Sequence, residues 1–402
     1  MFLTVSKRLE FSASRRLFVA DWTDEQNRRA FGAETSARYG AGRNYVVWFA
    51  FSGTVDPATG MLMNISEIKQ RAGAVIDEQY DHKFLNEDNA HFANVVPTVE
   101  NVARQLACDV APLFRGSGAE LNAVFVEETP HRSATAYADG GVEANFEFRF
   151  SAARQTMSPN LSDKENEQLF GRAASPYGHG HDYRVRLTVP SEKAESPLHA
   201  EVEACVGSLL EELDHRNLNL EVHGLTVRPK TTEAIAQYIF ERARSSLPLA
   251  RLRLHERADF FAEYHASGER RLGLQMPFSA VHRLQSYEHS PEQNEQMYGK
   301  CNNPRGHGHL YVSEATIGGA FDERSGTMSN FIEFQNALRA AVAGWDNRHL
   351  DLETEEFRNR PSTGENIVQI LWKKMNPLLW NRLERLRLWE TANNRFTLRR
   401  HV

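Results

Sequence analysis

The chain is poor in cysteine, has no block of one charge sign and has no long apolar run. Its 402 residues include only Cys108, Cys205 and Cys301, which lie far apart, so a disulfide framework is not expected and a reducing cytoplasm is the natural compartment. The 47 basic and 53 acidic residues form no long basic run, which argues against a nucleic-acid partner. The sequence lacks an apolar window long enough to cross a bilayer, and its N-terminus turns polar too soon for a signal peptide. We therefore expect a cytoplasmic protein without a membrane partner.

What the chain does contain is one unit repeated three times. A single core is not expected at this length, and four landmarks recur in the same order at a spacing of about 130 residues, too long for a solenoid repeat. They are a Phe-Ser-Ala sequence, an Asn-Glu-Gln segment shared by units two and three, an Asp-His pair that is matched more loosely in unit three, and a glutamate near the end of each unit. We predict three fused domains, at residues 1–138, 139–268 and 269–402.

Local patterns predict two strands, two helices and two strands in each unit. In unit one, the β-rich run from Tyr45 to Phe51 predicts a strand, and apolar residues at helical spacing follow from Ile65. A second helix is expected to start at Thr98, and in unit three Ser362 and Glu365 match a capping box. Cys108 and Cys205 lie in apolar helical patterns and are expected to be buried.

The strongest chemical signal is a Gly-His-Gly-His sequence in unit three. His307 and His309 are two residues apart, so on a strand both imidazoles face the same side. His282 lies four residues after Phe278, the first residue of the Phe-Ser-Ala landmark. Three neutral imidazoles with an open fourth position are typical of a catalytic zinc site. Cys301 lies just before this pair, where it can be a nucleophile or a base. The alternative is that these are ordinary surface or core histidines.

The other two units lack this set. Unit two keeps His179 and His181 but has Arg154 in place of His282 and Ala173 in place of Cys301. In unit one the corresponding positions are Arg15, Ala41 and Arg43. A guanidinium cannot ligate a cation and repels one. We therefore predict one metal ion per chain, bound in unit three.

The Asp-His pairs show the opposite distribution. Units one and two contain Asp81-His82 and Asp214-His215, whereas unit three has Asp346 followed by Asn347, an amide that cannot shuttle protons. This complementary loss is expected if each site lies at a boundary and a neighbouring unit supplies the pair. The alternative is that the motif only begins a loop after a helix, and His349 is then a nearby substitute. Each unit also ends near a glutamate that could bind a guanidine-like edge or simply be a solvated charge: Glu128, Glu256 and Glu390.

These motifs together resemble the 6-pyruvoyl-tetrahydropterin synthase family, three times over and across essentially the whole chain. Unit three matches best around the histidines, and unit one best matches the segment from Gly53 through Asp56 and Gly60 to Asn64, which unit two has lost. The resemblance implies an α+β T-fold in each unit, with two helices between the second and third of four antiparallel strands. Three units would close a twelve-stranded antiparallel barrel with helices outside, and two chains would form a homodimer of barrels.

The resemblance also implies a reaction and a role for each residue. His282, His307 and His309 would bind Zn²⁺, which would acidify the side-chain hydroxyls of 7,8-dihydroneopterin triphosphate before triphosphate is eliminated. Cys301 would be the general base, tuned by an Asp-His from a neighbour, with Asp81, His82, Asp214, His215 and Asp346 as the candidates. Glu390, or its equivalents Glu128 and Glu256, would anchor the pterin. Alternatives are a carboxy-forming enzyme of the queuosine type, in which the cysteine typically lies four rather than six residues before the pair, and a non-catalytic pterin- or metal-binding protein.

Overall fold

The computed structural model describes residues 1–191 and 198–400, and its central feature is a closed antiparallel barrel. Each unit contributes four long strands. In unit one they are β1 (Phe2–Arg15), β2 (Ala41–Gly53), β4 (Ala119–Thr129) and β5 (Arg132–Tyr137); in unit two β6 (Val142–Arg154), β7 (His179–Pro190), β9 (Arg251–Arg257) and β10 (Phe260–His265); in unit three β11 (Arg270–His282), β12 (His307–Ile317), β14 (Leu383–Thr391) and β15 (Asn394–Arg399).

Closure of the barrel follows from three pairings between units. Strand β5 pairs with β6, β10 pairs with β11, and the last strand, β15, pairs with the first, β1. Within each unit the four long strands pair in chain order. A two-residue strand also pairs in parallel with the first strand of each unit: β3 (Lys83–Phe84), β8 (Arg216–Asn217) and β13 (Arg348–His349). The predicted twelve-stranded α+β barrel of three T-fold units is confirmed, and closure leaves none of the twelve strands as a free sheet edge.

The helices of each unit lie mainly between its second and third long strands and cover one face of the sheet. The α-helices are α1 (Asp24–Phe31), α2 (Ile65–Gln79), α3 (Leu85–Asp88), α4 (Val99–Val110), α5 (Asp163–Phe170), α6 (Leu198–Leu213), α7 (Thr232–Arg244), α8 (Pro291–Tyr298), α9 (Phe331–Val342), α10 (Leu350–Glu353) and α11 (Gly364–Leu378). Short 3₁₀ turns lie at Gly32–Ser36, Ala111–Phe114, Gly171–Ala174, His223–Leu225, Gly299–Asn302 and Glu355–Phe357.

Alternation along the strands separates an apolar core from the barrel interior. On β2, Tyr45, Val47, Phe49 and Phe51 are fully buried in one hydrophobic cluster that also includes residues of α2 and α4. The residues between them point to the other side, into the barrel. No helix within the described ranges is long and apolar enough to cross a membrane.

Helix starts test the local predictions. Thr98 is the N-cap of α4, as predicted, and accepts a hydrogen bond from the backbone N–H of Asn101. The capping box predicted at Ser362 and Glu365 is wrong: Thr363 is the N-cap of α11, and Ser362 donates to the Asp351 carboxylate instead. Of the two cysteines expected to be buried, Cys205 is buried and Cys108 is exposed.

Candidate active site

The strand register places the three copies of the site at one end of each unit. His282 lies directly opposite His307 on the neighbouring strand, and Arg154 lies opposite His179 in the same way. In unit one, Arg15 lies opposite Ala41. The three positions inferred from the repeats are therefore structurally equivalent.

In unit three the three histidines converge. One ligand nitrogen from each of His282, His307 and His309 lies within 4.8 Å of the others, and the Nε2 atoms of His282 and His307 are 3.1 Å apart. His282 is fully buried, and its Nδ1 lies 2.8 Å from the carbonyl oxygen of Ser362. Because a carbonyl only accepts, Nδ1 carries the proton and Nε2 presents its lone pair to the cluster.

This donor set fits a zinc ion. Two nitrogens at corners of a tetrahedron around zinc, with bonds of about 2.0–2.1 Å, would be about 3.3 Å apart, close to the spacing in this cluster. Nε2 of His309 and Nδ1 of His307 are buried without a hydrogen-bond partner. Burial, together with the neighbouring histidines, lowers the pKa of His282 to about 3, and burial also lowers the pKa of His307. The imidazoles of His282 and His307 are therefore neutral and available as ligands at neutral pH.

Cys301 and Glu390 lie beside the histidines. Oε1 of Glu390 is 3.8 Å from His282 Nε2, and Oε2 of Glu390 accepts a hydrogen bond of 3.1 Å from Asn394. Cys301 lies half-buried in the Gly299–Asn302 turn. Burial raises the pKa of its thiol, and the Glu390 carboxylate raises it further. Without a cation in the site the thiol is therefore protonated at neutral pH.

A segment of unit one completes the unit-three site. The sequence did not predict this contribution of one unit to the site of another. The backbone N–H of Leu62 donates to Glu365, Thr363 donates to the carbonyl of Gly60, and Tyr298 donates to the carbonyl of Thr59. Burial raises the pKa of Glu365 to about 7, and the charge of Glu390 acts in the same direction. A second carboxyl group thus lies within the electrostatic influence of Glu390. This residue, Glu365, is the one that the capping-box prediction had assigned to helix capping.

In unit one an ion-pair cluster stands at the position of the histidines. Arg15, which is 1% exposed, pairs with the equally buried Glu128 and lies 2.8 Å from Glu34. Arg43 also pairs with Glu34, and its Nε is 3.8 Å from Glu128. Glu34 was missed in the sequence, although it is the second residue after the turn glycine Gly32, as Cys301 is after Gly299. Two arginines and two glutamates thus neutralise each other, and Glu128 is not free to bind a ligand.

Unit two is intermediate between the other two. His179, His181 and Glu256 bring ligand atoms within 4.8 Å of one another, so part of a metal set remains. However, the buried Arg154 pairs with Glu256, which also accepts from Thr232 and lies 3.1 Å from His181 Nε2. Burial, and then the charge of Arg154, lower the pKa of His179. The guanidinium of Arg154 occupies the position where a third imidazole ligand would lie.

The Asp-His pairs do not reach Cys301 within the chain. Each aspartate accepts from the backbone of its own unit: Asp81 from Ser12, Asp214 from Ser151 and Asp346 from Ser279. The next residue has a positive φ of 56–59° in all three units, a conformation that Asn adopts more readily than most residues. The side chains of His82 and His215 are 84% and 82% exposed. Within the described ranges, no hydrogen bond or ion pair connects either imidazole to unit three.

One substitution should create a second metal site. Arg154→His would place an imidazole opposite His179 and next to His181, reproducing the unit-three triad, so we expect bound zinc to rise from one to two ions per chain. Elemental analysis of dialysed protein measures this. The matched control is Arg15→His, which should stay at one ion because Ala41 and Arg43 supply no ligand. Two ions in the unmodified chain would contradict the assignment of Arg154 as the residue that blocks the site.

Three stretches of the chain match one family of known proteins. The family model described as 6-pyruvoyl tetrahydropterin synthase matches residues 4–139, 143–267 and 272–401. The human protein named 6-pyruvoyl tetrahydrobiopterin synthase is 44% identical over 99 residues, which cover 25% of this chain and 68% of the human one. The Drosophila melanogaster protein of the same name is 42% identical over 96 residues, and this chain spans 57% of its length.

A solved structure is also similar to part of this chain. The Caenorhabditis elegans 6-pyruvoyl tetrahydropterin synthase is 32% identical, with a TM-score of 0.32, and the match covers 33% of this chain and 95% of the nematode chain. Because three consecutive matches to the family model together span nearly the whole chain, the chain belongs to the 6-pyruvoyl tetrahydropterin synthase family.

Proposed function

We propose that unit three carries the working site of a zinc lyase that converts 7,8-dihydroneopterin triphosphate to 6-pyruvoyl-tetrahydropterin with elimination of triphosphate. The observation that carries the proposal is the contrast between units. Unit three keeps three converging imidazoles beside Cys301 and Glu390, whereas the equivalent positions of units one and two hold arginine–glutamate pairs. One working site per chain follows.

The residues of unit three have distinct roles in this proposal. Zinc held by His282, His307 and His309 would polarise the side-chain hydroxyls of the substrate. Cys301 takes a proton from the substrate side chain, and a cation near the thiol would oppose the effect of burial and Glu390 on its pKa. Glu390 and Glu365 face the guanidine-like edge of the pterin, and a raised pKa allows Glu365 to donate or accept there.

Product analysis tests the proposal. Zinc-loaded protein is incubated with 7,8-dihydroneopterin triphosphate, and products are identified by mass spectrometry together with an assay for released triphosphate. A pyruvoyl product with stoichiometric triphosphate is expected. A carboxy product would assign the chain to the queuosine-type branch, and the six-residue gap between Cys301 and His307 favours the pyruvoyl product. Absence of turnover with one zinc bound per chain would leave pterin or metal binding as the function.

The exposed Asp-His pairs support a homodimer of barrels. His82 and His215 project from the barrel, so a second chain is the partner that could bring one of them to Cys301. We expect a mass near twice 45.7 kDa by light scattering. The double variant His82→Ala/His215→Ala should lose turnover by about 10²-fold or more while it retains zinc. The exposed His131→Ala is the control, and normal turnover of the double variant would exclude both pairs from catalysis.

A further inference from the structure

The boundary between units three and one has a polar residue pair at a position where the other two boundaries do not. At each boundary the last long strand of one unit pairs with the first strand of the next, and here the register places Lys7 directly opposite Asn394. Residues of a different kind lie at these positions in the other two boundaries: Arg132 opposite Phe146, and Phe260 opposite Leu274. The polar pair therefore belongs to the unit whose three histidines converge.

An amide connects Lys7 to the carboxylate of Glu390. Nζ of Lys7 donates a hydrogen bond of 2.8 Å to Oδ1 of Asn394, and Nδ2 of Asn394 donates to Oε2 of Glu390 at 3.1 Å. An ammonium group has three donors and no acceptor, so only the oxygen of the amide can face it. Lys7 thus determines the orientation of the Asn394 amide and directs its NH₂ group toward Glu390.

These three side chains are shielded from solvent to different degrees. Lys7 and Asn394 are partly buried, and the side chain of Glu390 is 13% exposed. Burial lowers the pKa of Lys7, the charge of Lys69 lowers it further, and the Glu390 carboxylate opposes both effects. A shielded hydrogen-bonding group that loses its partner is not fully compensated by water. The orientation of Glu390 therefore depends on the amide, and the orientation of the amide depends on Lys7.

The residues equivalent to Asn394 make other contacts in the remaining two units. In unit one the guanidinium of Arg132 lies 5.9 Å from the ring centre of Phe146 and 3.9 Å from Glu100. In unit two Phe260 packs edge-on against Phe331, with ring centres 5.0 Å apart. Among the described residues, the Lys–Asn–Glu arrangement is thus found at one of the three boundaries, and that boundary borders the histidine site.

We propose that Lys7 is a positioning residue for the site of unit three: through Asn394 it holds Glu390 in the orientation that binds the guanidine-like edge of a heterocycle. This inference rests on the proposed function, in which Glu390 anchors the pterin. A carboxylate binds such an edge with two parallel hydrogen bonds, so both of its oxygens must lie in the plane of the ligand. The hydrogen bond from Asn394 restricts rotation of the carboxylate and leaves each oxygen able to accept from the ligand. Lys7 thereby lowers the entropic cost of ordering Glu390 when the ligand binds.

Ligand binding and steady-state kinetics of the full, zinc-loaded chain test this role. Lys7→Met keeps the long apolar stem and removes the amine. We expect the Kd for 7,8-dihydroneopterin, measured by fluorescence titration, and the KM for its triphosphate to rise about tenfold. Zinc content and kcat should stay unchanged, because binding rather than chemistry is affected. Lys7→Arg keeps a charged donor and should restore most of the binding, and the exposed Lys164→Met is the control that should bind like the unmodified chain.

A second variant separates the positioning of Glu390 from support of the β1–β15 strand pair. Asn394→Asp keeps a partner for Lys7 but presents a like charge to Glu390 in place of a donor. We expect an unchanged or higher melting temperature together with binding of 7,8-dihydroneopterin that is weaker by tenfold or more. A purely structural role predicts normal binding in this variant. If Lys7→Met or Asn394→Asp bound the pterin as tightly as an active unmodified chain, the positioning role would be wrong and the proposed function would stand. If the unmodified chain neither bound nor converted the pterin, both would be wrong.

Discussion

Cys301→Ala is expected to abolish product formation while leaving zinc bound. The thiol is not among the converging ligand atoms, so its removal should leave one ion per chain on His282, His307 and His309. Loss of a positioned general base lowers turnover by about 10²–10⁴-fold. Turnover of dihydroneopterin triphosphate and zinc content, measured on the same preparation, check this expectation.

Two companion variants separate the thiol from the metal. His309→Ala should lose both zinc and turnover, whereas Cys205→Ala, which removes a buried thiol of unit two, should keep both. Cys301→Ser tests the chemistry more finely, because a hydroxyl is a much weaker acid than a thiol and should restore little activity. If Cys301→Ala turned over normally, the cysteine would have no role in proton transfer, and the proposed mechanism would be wrong even with zinc in place.

The repeats predicted three fused domains, and the family resemblance implied that these domains close a barrel. The Phe-Ser-Ala sequence recurs near the end of the first strand of each unit, so Arg15, Arg154 and His282 could be aligned from the sequence. The strand register places all three residues opposite the expected partners. Tight turns between β5 and β6 and between β10 and β11 then let one chain close the barrel. Closure itself was expected from the family resemblance, since a repeated four-strand pattern alone does not determine whether a sheet closes.

Contacts between units were not predictable in this way. The segment around Gly60 and Leu62 lies some 300 residues from Thr363 and Glu365, and no local pattern connects them. Glu34 was not predicted because unit one has one more residue between its turn glycine and the next strand than unit three has. The residue that lies as far before Ala41 as Cys301 lies before His307 is therefore Thr35 and not Glu34. The role of the Asp-His pairs in catalysis stays a prediction, since the structure shows only that each aspartate accepts from its own unit.

Unit one should depend on its ion-pair cluster for stability, and Arg15→Ala is expected to be the most destabilising substitution there. Arg15 and Glu128 are each 1% exposed, so removal of the guanidinium leaves a buried carboxylate with only Arg43 nearby. Breaking a buried pair from one side costs about 3–5 kcal/mol. Thermal and denaturant unfolding of the full chain measure the loss, and Arg29→Ala, at an exposed position, is the control.

Acid should weaken the same cluster. Burial alone would raise the pKa of Glu34, but Arg15 and Arg43 outweigh it and lower that pKa below its usual value. A carboxyl group with a lowered pKa in the folded state stabilises the protein at neutral pH, and this contribution is lost as the pH falls through the carboxylate range. The difference in stability between the unmodified chain and Glu34→Gln should therefore be largest near pH 7 and shrink below about pH 4.

A double variant decides whether the arginine acts as a charge partner. Removing both members of the pair with Arg15→Met/Glu128→Leu leaves no buried charge without a partner, so it should cost less than Arg15→Ala alone. If the double variant were as unstable as the sum of its single changes, packing rather than charge would explain the role of Arg15. An unchanged melting temperature in Arg15→Ala would refute the expectation that this ion-pair cluster stabilises unit one.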